Sequence, residues 1–259
     1  QIWAGRFSGT VGDLLLLADR AAREIAEAAG AAARTPMPSR PGVDPRALEL
    51  HARARRSSSF AAFDATGGLP EIEEAASLAP SEPRILATYG MLLVKETFRM
   101  GADLASLLVR ARPIVERAID LAPELPEPWV ALAQLRMSTG ETAAGARAAR
   151  RALRGGPSVA EAHEIAGRIL AEADRLEDAR ALMSRAVWLD ELLNLAQVDL
   201  VRVLALLGRR AEALAHIDRL ETLAPRQHVV VASRYDRWGP DAGVVVPDSP
   251  CDPGTPGER

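Results

Sequence analysis

The chain has 259 residues, of which 48% are hydrophobic, 26% charged and 4% aromatic, with a formal net charge of −3. That apolar content excludes a wholly disordered chain, and a single cysteine, Cys251, excludes a disulfide scaffold. The charge gives no general attraction to nucleic acid or anionic lipid, and the longest purely apolar runs, such as Leu14 to Ala18, are too short to span a bilayer. No secretory signal pattern opens the sequence. Alanine occurs 49 times, and the runs Val229 to Ala232 and Val244 to Val246 are too short and isolated for a sheet, so the composition predicts a soluble helical protein with close helix–helix contacts. Lys95 is the only lysine beside 31 arginines, a bias toward GC-rich codons that points to a bacterial source.

From the N-terminus, Gln1 to Phe7 alternates like a strand and Asp13 to Ala29 reads as an amphipathic helix. A lone strand has no sheet to join, so residues 1–30 are expected to be the strand–helix remnant of a truncated α/β domain. Residues 31–43, with Pro36, Pro38 and Pro41, read as a linker. Asp44-Pro45 combines an N-cap with proline at the first helical position and predicts a helix to about Arg56. Ser57 to Gly68 is then a loop and Leu69 to Leu78 the partner helix. Arg84 to Met100 and Ala102 to Ala122 form a second, longer pair, since Pro80 to Pro123 spans 43 residues.

Beyond Pro123 the sequence repeats with a step of 34 residues. Ala111, Gly145, Ala179 and Ala213 share the step, as do Ala118, Ala152, Ala186 and Leu220. Pro123, Pro157 and Pro225 share it, with Glu191 between, and so do Trp129, His163 and Gln197. Gly140, Asp174 and Gly208 fall where a tight turn needs a left-handed residue. The small residues fall where two helices would approach closely, and proline stops each second helix. One such pair cannot bury its apolar face alone; stacked pairs make a continuous core. Five pairs are expected over 44–225. Residues 226–259, rich in proline and glycine, read as a mostly disordered tail.

These residues match a known pattern. Trp129-x-x-Leu132-Ala133 with Gly145-x-x-x-Ala149 and Pro157 resembles the tetratricopeptide repeat. His163-x-x-Ala166-Gly167-x-x-Leu170 with Ala179-x-x-x-Met183 resembles a second copy, and Gln197-x-x-Leu200-Val201-x-x-Leu204 with Ala213-x-x-x-Ile217 a third. The resemblance implies an all-α solenoid of helix–turn–helix units. The stretch Trp3-Ala4-x-Arg6-Phe7-x-Gly9, Asp13-Leu14, Asp19 and Arg23 to Ala26 is similar to a junction in bacterial signalling proteins. There it closes a domain resembling the N-terminal part of TolB, and tetratricopeptide repeats follow. In such proteins the upstream effector is a class III nucleotide cyclase, a Ser/Thr kinase or a winged-helix regulator. Gly5, Ser8 and Thr10 depart from the acidic residues expected at that junction.

No catalytic constellation is visible. His51, His163, His216 and His228 have no zinc-ligand spacing among themselves or with Cys251, so neither a metal nor another cofactor is expected. His163 occupies a repeat's aromatic position, where packing explains it; His51 and His216 read as partly exposed helix residues. Gly67-Gly68 and Gly155-Gly156 lack the residues of a phosphate-binding loop. Glu71, Glu73 and Glu74 suit a helix start. Arg147, Arg150, Arg151 and Arg154 form a basic stripe on one helix, read as a solvated face rather than a nucleic-acid patch.

Stacked pairs present a concave surface made by the first helix of each unit. Helical spacing assigns to it Glu127, Val130, Gln134 and Met137, then Glu161, Glu164 and Arg168, then Leu195, Val198 and Arg202. This mixture suits an extended peptide or a partner helix. Tetratricopeptide domains that clamp a chaperone's C-terminal carboxylate use lysine, asparagine and arginine; Val130, Gln134, Ile165, Leu195 and Ala196 stand at those places, which argues against that role. The expectation is a cytoplasmic, non-catalytic interaction module of a bacterial signalling protein. The alternatives are a non-catalytic part of a cyclase or kinase and a self-association scaffold.

Overall fold

A computed structural model describes residues 43–60, 68–96 and 103–223, together with isolated positions between 8 and 28 and the pair Val231 and Ala232. The strand expected over 1–7 and the linker over 31–43 lie outside these residues, save Val43. So does the tail over 226–259, save that pair. Within the helix expected over 13–29, Leu17, Arg20, Ala21, Glu24, Ile25, Glu27 and Ala28 are helical.

Ten helices are seen among the described residues, and they pair as the period requires. They are α1 (Pro45–Phe60), α2 (Leu69–Leu78), α3 (Pro83–Glu96), α4 (Leu104–Leu121), α5 (Pro126–Ser138), α6 (Thr142–Gly155), α7 (Ala160–Glu172), α8 (Leu176–Leu189), α9 (Asn194–Leu206) and α10 (Arg210–Leu223). Asp44 caps α1, its Oδ1 accepting from the Arg46 amide at 2.8 Å, and Asp103 caps α4 through the Ser106 amide at 3.2 Å. The helix α1 runs four residues past the expected end at Arg56. Ser57 to Ser59 are only mildly unfavourable inside a helix, and nothing there breaks one.

Each helix packs on its sequence neighbour, and first helices also pack on first helices: α3 on α5, α5 on α7 and α7 on α9. The second helices stay further apart, which places the first helices on the inner side of a curved stack. The small-residue ladder sits at the crossings. A Cβ on Gly145 would lie 3.2 Å from the Ala133 carbonyl oxygen, and one on Gly167 would lie 3.2 Å from that of Ala179. The core is accordingly alanine-rich. Ala131, Ala133, Ala152, Ala162, Ala179, Ala186 and Ala213 are fully enclosed between larger residues such as Leu135, Ile165 and Met183. At the far end, Val231 is buried in the same cluster as Val203, Ile217 and Leu220.

The turn ladder adopts the backbone its spacing implies: φ is +77° at Gly140, +58° at Asp174 and +69° at Gly208. Asp174 is the costly member, since a Cβ disfavours this region. Asp174→Gly should raise unfolding stability by about 0.5 kcal/mol, the strain relieved less the entropy glycine adds to the unfolded chain. A urea midpoint that falls instead would show that the aspartate side chain contributes more than its backbone costs.

Candidate functional site

The ladder of Trp129, His163 and Gln197 has one shared task. Trp129 Nε1 donates to the Pro123 carbonyl at 2.8 Å, His163 Nε2 to that of Pro157 at 2.9 Å, and Gln197 Nε2 to that of Glu191 at 2.7 Å. Each closes the turn leading into a first helix from six residues downstream. His163 is therefore a structural donor carrying its proton on Nε2. Gln197, fully buried, also takes a 2.5 Å hydrogen bond from His216 on α10. Burial, with Arg219 adding to it, lowers the His216 pKa to about 4. His51 on α1 meets the Thr88 hydroxyl at 2.9 Å; burial, then Arg55 and Arg84, lower its pKa to about 4 as well. Both histidines are partly covered, and both are neutral near pH 7.

The ten residues assigned to the inner surface do lie on α5, α7 and α9, but they are not an open row. Val130, Gln134, Glu164 and Val198 are buried, and Glu127, Met137, Glu161, Arg168, Leu195 and Arg202 are half-buried. The charged members are largely consumed by one another. Arg168 ion-pairs with Glu164 one turn back and with Asp199 of α9 at 3.3 Å. Asp199 also meets Arg202 at 3.4 Å, and Arg202 reaches back to Glu172 of α7 at 3.2 Å. Burial pushes the Glu164 carboxyl above its usual pKa despite Arg168, and the two carboxylates hold Arg168 firmly charged.

Four members of this cluster were not assigned from the sequence: Glu172, which ends α7, and Asp199, Lys95 and Arg55. Asp199 follows Val198 and shares the 34-residue step with Ile165, so the period contained it. Lys95 closes α3, and its ammonium is pushed below the usual lysine pKa by burial, against the pull of Glu161 and Glu164. It was hidden by the loosened register of the 43-residue pair, whose second helix, α4, has 18 residues against 14 in α6, α8 and α10. Arg55 of α1 had no local signal at all, yet its guanidinium lies 2.8 Å from Glu161 of α7. This bridge joins the first pair to the fourth across the inner surface. Beside it, Arg55, Met91, Val130 and Glu161 enclose only a cavity of about 10 Å³, so the inner surface is shut at this level.

On α5 two polar atoms have no hydrogen-bond partner. Glu127 Oε2 and Gln134 Nε2, seven residues apart on the same face of α5, are both buried. One is an acceptor and the other a donor. Among the described residues no cluster of His, Cys, Asp and Glu could hold a metal, and no helix is long and apolar enough to cross a membrane.

No protein-family model and no curated protein matches the sequence. Solved structures do. A thermophilic tetratricopeptide protein from Thermus thermophilus is 18% identical, over 73% of this chain and 98% of its own, with a TM-score of 0.57. YrrB, described as a tetratricopeptide protein with an unusual peptide-binding site, is 15% identical over 74% of this chain and 92% of its own, with a TM-score of 0.42. MamA from Desulfovibrio magneticus RS-1 is 14% identical over 75% and 99%, with a TM-score of 0.41. The likeness to the Thermus protein identifies the fold as a tetratricopeptide-type solenoid and reaches no further than fold.

Proposed function

We propose that this chain is a non-catalytic interaction module that takes an extended peptide segment of a partner protein along its inner surface. The observation that carries this reading is the unpartnered pair on α5. A buried donor and a buried acceptor left unpaired cost about 1–3 kcal/mol each, so a ligand that pairs both recovers that cost on binding. A peptide backbone offers an acceptor and a donor at every residue. The half-buried Met137 and Leu195 supply apolar contact beside them, and the closed end at Arg55 and Glu161 has to open for a peptide to reach the pair. The similarity of Trp3 to Ala26 to a bacterial signalling junction supports placing the module in a cytoplasmic signalling protein, where occupancy of the groove would bias an attached effector.

Gln134→Leu separates binding from folding. The substitution keeps the volume and removes the unpaired amide, so stability should rise by about 1 kcal/mol in urea unfolding. Peptides selected by the wild-type chain from a random display library should lose at least about tenfold in affinity, the worth of one hydrogen bond. Leu195→Glu should weaken the same peptides. Peptides that bind both variants as tightly as wild type would sink the reading.

A further inference from the structure

The opposite side of the stack is not smooth. Between α6 and α8, floored by α7, is a cleft of about 430 Å³, within the size range of ligand pockets. Its floor and most of its walls are apolar, with Ala149 and Leu153 of α6, Ile169 and Leu170 of α7 and Leu182 of α8; one edge holds the ion pair of Arg175 and Asp178, which leaves Arg150, among the described residues, as the lining cation without a carboxylate. The cleft has a cause in the repeat register. Ala166, which lines it, occupies the step held by Leu132 one unit earlier and by Leu200 one unit later. Where its neighbours place a leucine, this unit leaves open space.

The rim is basic. The helix α6 contains no acidic residue over Thr142–Gly155 and presents exposed Arg147, Arg150, Arg151 and Arg154. Arg150 lines the cleft itself. Arg151 lies over the Trp129 ring at 5.5 Å. Among the described residues neither Arg147 nor Arg150 has a carboxylate partner. Other outer arginines are paired: Arg175 with Asp178, Arg180 with Glu177, Arg209 with Glu212.

We infer that this cleft binds an acidic peptide segment through one bulky apolar side chain, with flanking Asp or Glu residues on Arg147 and Arg150. The two halves of the site require both features. A nucleic acid or polyphosphate would use the arginines and leave the apolar floor without a partner. A purely apolar segment would leave the guanidinium groups unused. The inference is separate from the inner-surface reading, since no residue belongs to both sites.

The test uses the full chain and a display library of random dodecapeptides. Enriched sequences should combine acidic residues with a Leu, Met, Phe or Trp. Ala166→Leu fills the cleft with the residue its neighbouring units carry, so the fold should tolerate it, as a thermal melt will show. It should weaken those peptides at least about tenfold. Arg147→Glu/Arg150→Glu changes two exposed side chains and should do the same, with affinity falling as salt rises. Gln134→Leu should leave this class of peptide unaffected, which keeps the two sites distinguishable. The inference is overturned if no acidic, apolar class is enriched, or if its members bind Ala166→Leu as tightly as wild type. Heparin bound equally by wild type and Ala166→Leu, with no peptide class, would mark the stripe as a polyanion patch. Dimerisation abolished by Ala166→Leu, again without a peptide class, would assign the cleft to a second copy. Either result overturns the inference.

Discussion

Arg168→Met should cost about 3–5 kcal/mol of unfolding stability, because it leaves two carboxylates buried together without their cation. Glu164 is 5% exposed and Asp199 9%. Among the described residues, Arg168 is the one cation that meets both of them. The deficit should depend on pH in a defined direction. Burial already raises the Glu164 pKa, and loss of Arg168 raises it further. A carboxyl whose folded pKa lies above its unfolded value favours folding most when protonated, so the variant should regain stability as pH falls from 8 toward 5. Replacing all three groups together, Glu164→Leu/Arg168→Met/Asp199→Leu, should restore part of the loss, since the two carboxylates go with the cation they share, while Lys95 keeps Glu161 and Arg202 keeps Glu172. Urea midpoints at pH 8 and pH 5 measure all of this. A deficit under about 1 kcal/mol at pH 8 would mean that the cluster is solvated in solution.

The second large effect is acid lability from His51 and His216. Both have folded pKa values of about 4, against an unfolded value near 6.5. A base with a depressed folded pKa contributes its full stability above the unfolded value. That contribution disappears as pH falls between about 6.5 and 4. At pH 5 each histidine should cost roughly 2 kcal/mol relative to pH 7.5, a large share of the 5–15 kcal/mol typical of a folded domain. His51→Gln keeps a polar partner for the Thr88 hydroxyl and does not titrate. The variant should lose about half as much stability as wild type over that range. Equal losses in the two proteins would place the acid sensitivity elsewhere.

Much of the fold was legible in the sequence because it is local. Gly140, Asp174 and Gly208 announce the turns by type and spacing, and Asp44-Pro45 announces the start of α1. The end of α1 was not legible, since three serines neither favour nor forbid a helix. The inner surface was half legible. Spacing of 34 identified which helix faces line it, but the curvature that decides whether a lining residue is open or shut is a property of the whole stack. Hence Glu164 and Arg168 are on the expected face and yet engaged with each other. Trp129, His163 and Gln197 show the reverse case: a consensus position read as packing is a hydrogen-bond donor, a role three unlike side chains can fill.

The contact between Arg55 and Glu161 spans 106 positions of the chain. A stack in which each unit touches only its neighbours behaves as a one-dimensional array, whose ends can fray while the middle holds. This bridge turns the array into a loop with a clasp. Release of α1 would free Glu161, three units away, from this partner, so opening at the N-terminal end would ease access to this part of the inner surface. A partner peptide entering between α1 and α7 would be linked to that event, and its affinity would carry the free energy of undoing the clasp.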